Sequence, residues 1–260
     1  MSTGLLRDCP HIVDPWPETP PPSALVIKIS NFLRPRTDEV EALDLISRNP
    51  KPHRAEQILV HEGSHPDHVN LIVEGFACRY KLLPGGRRQI LGYLIPGDLC
   101  NLEFALFNKP DHSVALLCDS RVVRIPTHRL VELLDRHPRI HRALSLAALI
   151  DNAILREWLL NIGQRDALQK LSHFFCEMEV RLGAIGRVDG NGSFELPVNQ
   201  SALADTTGLS SVHVNRTLQR LRSHELIDLS HRRLTILDRD RLRAVAGFDE
   251  TYLTVQPRRD

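Results

Sequence analysis

Residues 196–237 read LPVNQSALADTTGLSSVHVNRTLQRLRSHELIDLSHRRLTIL. Asn199 is placed to cap a short helix carrying Leu203 and Ala204, because a short polar side chain ahead of an apolar run satisfies the first orphan amides. The small Ala204 lets a second helix cross closely. Gly208 stands four residues later, where a tight turn calls for positive φ. Ser210 then caps a helix with Val214, Leu218 and Leu221 turned inward. The spacing Ala204, Gly208, Val214 is that of a helix-turn-helix. Beyond it, Leu226, Ile227 and Leu229 make a strand, residues 230–233 turn, and Leu234, Ile236 and Leu237 return, forming a wing.

The second helix, residues 210–222, presents Ser211, Val212, His213, Asn215, Arg216, Gln219 and Arg220 on its outer face. Its N-terminal half is the part that enters a major groove. Arg216 offers a bidentate pair to guanine, Asn215 an adenine or phosphate contact, and Val212 an apolar contact for a thymine methyl. Gln200, Ser211 and His213 suit phosphates, as helix N-termini do. Arg232 and Arg233 sit at the wing tip. Between Ser211 and Arg243 stand eight arginines (216, 220, 222, 232, 233, 239, 241, 243) against Glu225, Asp228, Asp238 and Asp240, a local excess of +4. This footprint is the electrostatic signature of a duplex-binding surface. The whole chain conceals it: 33 Lys and Arg stand against 32 Asp and Glu in 260 residues.

Upstream, the pattern changes twice. Residues 1–22 hold six prolines and read as a mobile arm, with the first folded domain placed from 28. A helix is expected near 36–48, capped by Thr37, with Val40, Leu43 and Ile46 on one face. From about 55 to 126 short strands alternate with turns: Phe76, Cys78, Tyr80 and Leu82 follow period two, Pro84-Gly85-Gly86 makes a hairpin, and Arg88–Ile95 returns. Turns at this density imply a compact antiparallel barrel or sandwich rather than βαβ units. Leu130, Leu133 and Leu134 fill a short helix. Residues 139–161 read as one long helix, with Ile140, Leu144, Ala147, Ile154 and Trp158 at 4-3-7-4 spacing. That seam is expected to pair two copies, with Leu146, Leu149 and Leu155 as a second apolar flank. Asn161-Ile162-Gly163 is expected to interrupt it before a new helix over 164–182.

The order of these parts resembles the Crp/Fnr family of bacterial transcription regulators over about residues 28–248. The sensor side carries it in Leu71-Ile72-Val73-Glu74-Gly75, Tyr80, Gly85-Gly86-Arg87, Arg88 to Tyr93 and Pro96-Gly97-Asp98. The DNA side carries it in Gln164-Arg165-Asp166-Ala167 and Leu203 to Leu221. The resemblance implies an α+β chain of two domains. An antiparallel β-roll of the cyclic-nucleotide-binding type with flanking helices (28–134) leads into a long dimerisation helix (135–162). A C-terminal winged helix-turn-helix (163–248) and a tail (249–260) follow. It implies a cytoplasmic homodimer on a pseudo-palindromic operator with half-sites about 34 Å apart, and RNA polymerase as a further partner if it activates. By the same resemblance the effector pocket draws on Gly97, Asp98, Asn101, Glu103, His112 and Ser113.

The departures from the family matter. Cyclic-AMP-binding members hold the cyclic phosphate with a Gly-Glu pair and an Arg-Ser pair. Here the Gly-Asp turn runs on as Leu99-Cys100-Asn101-Leu102-Glu103, and the Arg-Ser position reads His112-Ser113 beside Asp111. An anion wants a guanidinium fork, so cyclic AMP is not the expected effector. The iron–sulfur members use several N-terminal cysteines; this chain has Cys9 alone there, so a cluster lacks ligands. In the recognition helix, Ser211 and Val212 replace the family's usual Arg and Glu, which points to a different operator sequence.

His61, His65 and His68 with Glu62 and Asp67 could suit zinc or nickel, but a solvated turn is the preferred reading. Haem at His112, Cys78 or Cys100 is a minor reading, and Cys100 and Cys118 read better as small core residues. No cofactor is therefore expected. No run is apolar enough to span a membrane, and no catalytic set stands out, so an enzyme is not expected. The competing function is a ligand- or redox-sensing signalling module acting through protein contacts rather than DNA.

Overall fold

The computed structural model describes residues 22–102 and 109–254. Its chain opens on helix α1 (Ala24–Ser30), capped by Ser23, whose hydroxyl accepts from the Val26 amide. Leu25, Val26 and Ile29 are buried, so the folded body begins before residue 28, earlier than expected; residues 1–21 of the expected arm lie outside the described residues. Helix α2 (Thr37–Ile46) starts one residue earlier than Thr37 would place its cap: Arg36 is the cap, and its amide donates to the Glu39 carboxylate at 2.8 Å. A carboxylate at the third helical position closes the first turn as a capping box does.

The sensor is an antiparallel roll of two sheets. One has the order β1 (Lys51–His53), β7 (Ser120–Pro126), β3 (His68–Glu74). The other has β2 (Ile58–Val60), β6 (Ser113–Leu116), β4 (Ala77–Leu82), β5 (Arg88–Leu94). Pro52 is tolerated in β1 because that strand is an edge. Val60, Ile72, Leu94, Val114 and Val122 from both sheets fill the interior. At the turn after β5, Gly97 has φ +92°, and a Cβ there would lie 2.5 Å from the Ala24 carbonyl oxygen. Only glycine allows α1 to sit on this turn.

Helix α3 (Thr127–Arg136) leads to α4 (Pro138–Gln164), 27 residues with proline in its first turn, where the missing amide costs nothing. The expected interruption at Asn161-Ile162-Gly163 is absent. The helix runs through Gly163 to Gln164, and α5 (Ala167–Gly183) starts after Asp166, whose carboxylate accepts from the Gln169 amide at 2.9 Å. The cap of α5, rather than the glycine, marks the break between the two helices.

The seam residues require correction. Ile140, Leu144, Ile154 and Trp158 are buried inside their own subunit, and Ala147 is half-buried. Even the charge on that face is used internally: Asp151 accepts from Arg79 of β4 at 3.0 Å. What α4 leaves exposed is another stripe. Ser145, Ala148, Asn152, Leu155, Leu159 and Ile162 repeat at 3-4-3-4-3 spacing, with Leu149 and Leu160 beside them. Leu149 and Leu159 are 62% and 73% exposed.

The C-terminal unit holds β8 (Ser193–Glu195), α6 (Gln200–Thr207), α7 (Ser211–Ser223), β9 (Ile227–Ser230), β10 (Arg233–Ile236) and α8 (Arg239–Ala246), with sheet order β8-β10-β9. A short 3-10 turn, Glu250–Leu253, packs back on α4 and α5, so the first residues of the expected tail belong to the folded body. One apolar core runs from Cys78, Ile90 and Tyr93 of the sensor through Ile154 and Trp158 to Phe174, Leu203, Val214 and Leu218. Among the described residues, no helix is long and apolar enough to cross a membrane.

Candidate nucleic-acid interface

Local rules build the helix pair. The Asn199 side chain accepts from the Ala202 amide at 2.8 Å and starts α6. Gly208 ends it in the left-handed region at φ +70°, the conformation that favours glycine at a helix C-terminus. The Ser210 hydroxyl accepts from the His213 amide at 3.2 Å and starts α7. Val214, Leu218 and Leu221 face the core as the sequence spacing predicts. Ser211, Arg216 and Arg220 are exposed, His213 and Asn215 half-buried, and Val212 is 82% exposed. Asn215 donates its amide to Gln200 Oε1 at 3.2 Å, so the N-terminal ends of both helices present one joined polar edge.

The wing departs from expectation. His231 and Arg232 both have positive φ, 48° and 62°, and form the two-residue turn between β9 and β10. Arg232 and Arg233 then line a polar cleft with Glu74, Asp119 and Glu195, facing the sensor. Arg233 is tied to Asp189 and to the Ser193 hydroxyl at 2.8 Å. In this arrangement neither extends the surface of α7. The basic excess is also smaller than the count suggested: Arg233, Arg239, Arg241 and Arg243 are consumed by Asp189, Glu179, Asp238 and Glu250. The exposed guanidiniums of Arg216 and Arg220 on α7 remain the centre of the positive edge.

The expected effector residues do not converge. Gly97 and Asp98 line a cavity of about 320 Å³ between α1, α3 and α4, with Leu99, Leu134 and Leu144 among its walls. His112 lines an adjoining space of about 310 Å³ with Tyr93, and the two spaces share a wall of Arg79, Ala148 and Asp151; His112 Nδ1 lies 2.7 Å from Asp111 Oδ1. Asn101 is fully buried and ties its own segment to β3: it accepts from the Asn70 amide and donates to the His68 carbonyl, both at 2.9 Å. The Ser113 hydroxyl accepts from the Glu62 amide at 3.0 Å. Glu103 lies outside the described residues. Among the described residues, no cluster of three or more His, Cys, Asp or Glu is placed to hold a metal. Cys78, Cys100, Cys118 and Cys176 are buried. Burial pushes the Cys78 thiol up to about 11 and the Cys176 thiol up to about 12, so these thiols rest protonated in the folded chain.

Contacts between sensor and reading unit were not visible in the sequence. Arg88 of β5 donates to Asp205 at 2.7 Å, and the Tyr93 hydroxyl meets Thr206 Oγ1 at 2.7 Å. Partners 113 and 117 residues apart leave no local signal in composition or periodicity.

Residues 50–137 match the cyclic nucleotide-binding domain, and residues 169–245 match the Crp-like helix-turn-helix domain. The chain is similar to the nitrogen fixation regulation protein FixK of Bradyrhizobium diazoefficiens, with 28% identity over 68% of this chain and 73% of that protein. It is similar also to the transcriptional activator protein FnrL of Cereibacter sphaeroides, with 27% identity over 82% of this chain and 86% of that protein. Of solved structures, FixK2 from Bradyrhizobium japonicum shares the fold at TM-score 0.68 and 23% identity, covering 76% of this chain and 96% of that one.

Proposed function

This chain belongs to the Crp/Fnr family of DNA-binding transcription regulators, and from that premise we propose that it acts as a homodimer whose two α7 helices enter successive major grooves of a pseudo-palindromic operator. The single observation that carries the reading is the outward face of α7, with Val212, Arg216 and Arg220 exposed over a core-facing row of Val214, Leu218 and Leu221. Dimerisation runs through the exposed α4 stripe of Ala148, Leu155, Leu159 and Ile162. A two-fold axis along such a stripe buries the same apolar residues from both copies.

The effector is not cyclic AMP. Asp111 pairs with His112 where the family's cyclic-AMP binders carry the arginine of their Arg-Ser pair, and the guanidinium beside it, Arg79, is paired with Asp151. Regulation proceeds without an iron–sulfur cluster. FnrL is named an activator; by analogy this chain activates, and RNA polymerase is then a second partner.

The test is binding to a duplex enriched from a random pool by the wild-type protein. Arg216→Ala lowers affinity for that duplex by about 1–3 kcal/mol and relaxes preference at one base pair per half-site. Affinity for random duplex, set by phosphates and salt, changes little. Equal binding of selected and random duplex by the wild-type protein would refute the proposal.

A further inference from the structure

We propose that Arg181 is a positioning residue for DNA recognition, holding the helix-turn-helix unit to the sensor through the Asp98 carboxylate. Arg181 lies in the last turn of α5, within the reading unit, yet its side chain is only 8% exposed. Two of its contacts belong to the sensor. Its guanidinium donates to the Tyr93 carbonyl of β5 at 2.8 Å and to Asp98 Oδ2 at 3.4 Å. A third contact, at 3.4 Å, is Glu177 one turn back on α5.

Asp98 is where three parts of the molecule meet. Lys28 of α1 reaches it at 2.7 Å, the Ile95 amide at 3.0 Å, and Arg181 approaches from the other side. Burial alone would push this carboxyl up, but Lys28 and Arg181 outweigh it and hold Asp98 below the usual carboxylate range. The ionised form is therefore the one that clasps Arg181. Glu177 carries the connection onward: its Oε2 accepts from the Trp158 indole of α4 and from the Tyr252 hydroxyl, each at 3.0 Å. Tyr93 closes the loop, since its carbonyl holds Arg181 while its hydroxyl holds Thr206 of α6.

A buried guanidinium is costly to leave unpaired, so it does not drift. Either it keeps the Tyr93 carbonyl and the Asp98 carboxylate, or the α5–β5 contact opens to let water reach it. The clasp thus behaves as a two-position element, as bistable packed interfaces do. The cavity under α1 opens onto the same Asp98 and Lys28. Whatever fills or reshapes that cavity acts first on the Lys28–Asp98 pair and, through Arg181, on the attitude of α6 and α7. The clasped form orients both recognition helices, and losing it spreads their orientations and weakens bivalent binding.

The experiment uses the full chain, the duplex enriched by the wild-type protein, and Trp158 fluorescence in a Trp16→Phe background. Asp98→Asn and Arg181→Met each weaken binding to the enriched duplex about tenfold and shift Trp158 emission. Binding to random duplex and dimer mass hold. The double variant is no weaker than the worse single variant, because both break one clasp. Arg181→Lys retains part of the affinity. Lys28→Met, which touches Asp98 from α1 and no part of the reading unit, weakens binding at least about threefold with the same emission shift. It serves as the independent probe if Arg181→Met does not fold. Additive losses in the double variant, or a Lys28→Met protein with unaltered affinity and emission, overturn the proposal.

Discussion

His173 of α5 is 1% exposed, its ring stacked on Tyr252 at a centroid distance of 6.0 Å and edge-on to Phe248. Burial, helped by nearby Arg165, pushes its pKa from 6.5 down to about 3. Glu157 approaches it at 3.5 Å but is also paired with Arg165 at 3.1 Å, which offsets the attraction. The folded state therefore holds this ring neutral over a range where the unfolded chain protonates it. The unfolded state binds more protons between about pH 6.5 and 3, so this group's contribution to stability falls as pH drops through that window. The limiting slope is about 1.4 kcal/mol per pH unit. His173→Phe keeps the stacking and removes the proton site, so the decline of unfolding free energy between pH 6 and 4 becomes shallower by about that slope, and the fall in melting temperature shrinks with it. An unchanged slope in thermal melts would show that the ring is not buried neutral. Residues of the other kind, Asn199, Gly208 and Ser210, act within three or four positions of themselves. Their roles were legible because capping and left-handed turns depend on local backbone alone.

At the scale of the element, α4 is the instructive case. Both of its flanks are apolar, and periodicity finds the stripes without saying which one meets the sensor. The folded chain buries Ile140, Leu144, Ile154 and Trp158 and leaves Leu155, Leu159 and Ile162 outside. The asymmetry comes from partners far along the chain: Arg79 fixes Asp151, and Tyr93 packs its ring 5.8 Å from Trp158. Two substitutions five residues apart on this helix therefore separate the roles. Leu159→Glu gives a folded monomer with unchanged helicity and operator affinity lowered at least about a hundredfold, since bivalency is lost. Ile154→Glu buries an unpaired carboxylate and unfolds the chain. Sedimentation and circular dichroism read both, and a Leu159→Glu protein that sediments as a dimer would move the interface off this stripe. The wing teaches the same lesson: the hairpin was readable from its turn, but the direction of Arg232 and Arg233 was not, because Asp189 and Ser193 lie across the sheet.

At the scale of the whole molecule, the sensor and the reading unit share one core rather than touching across a thin polar interface. Interfaces between domains are commonly small and polar, and their halves then melt separately. Here Tyr93, Trp158 and Phe174 interlock at centroid distances of 5.1 to 6.3 Å, and α6 docks on β5. The expected outcome is one cooperative unfolding transition for the full chain, with the calorimetric enthalpy matching the van't Hoff value. Two resolved peaks in a calorimetric scan would contradict a shared core.

The sequence by itself determined the order of modules, the hairpins, the helix-turn-helix and the face of α7 that is turned outward. Those features follow from caps, turns and periods that act over a few residues. Only the tertiary structure decided which stripe of α4 stays outside, where the wing arginines point, and that Asp98 meets Arg181. Each of these is a choice between locally equivalent surfaces, settled by side chains that are distant along the chain and adjacent only once it has folded.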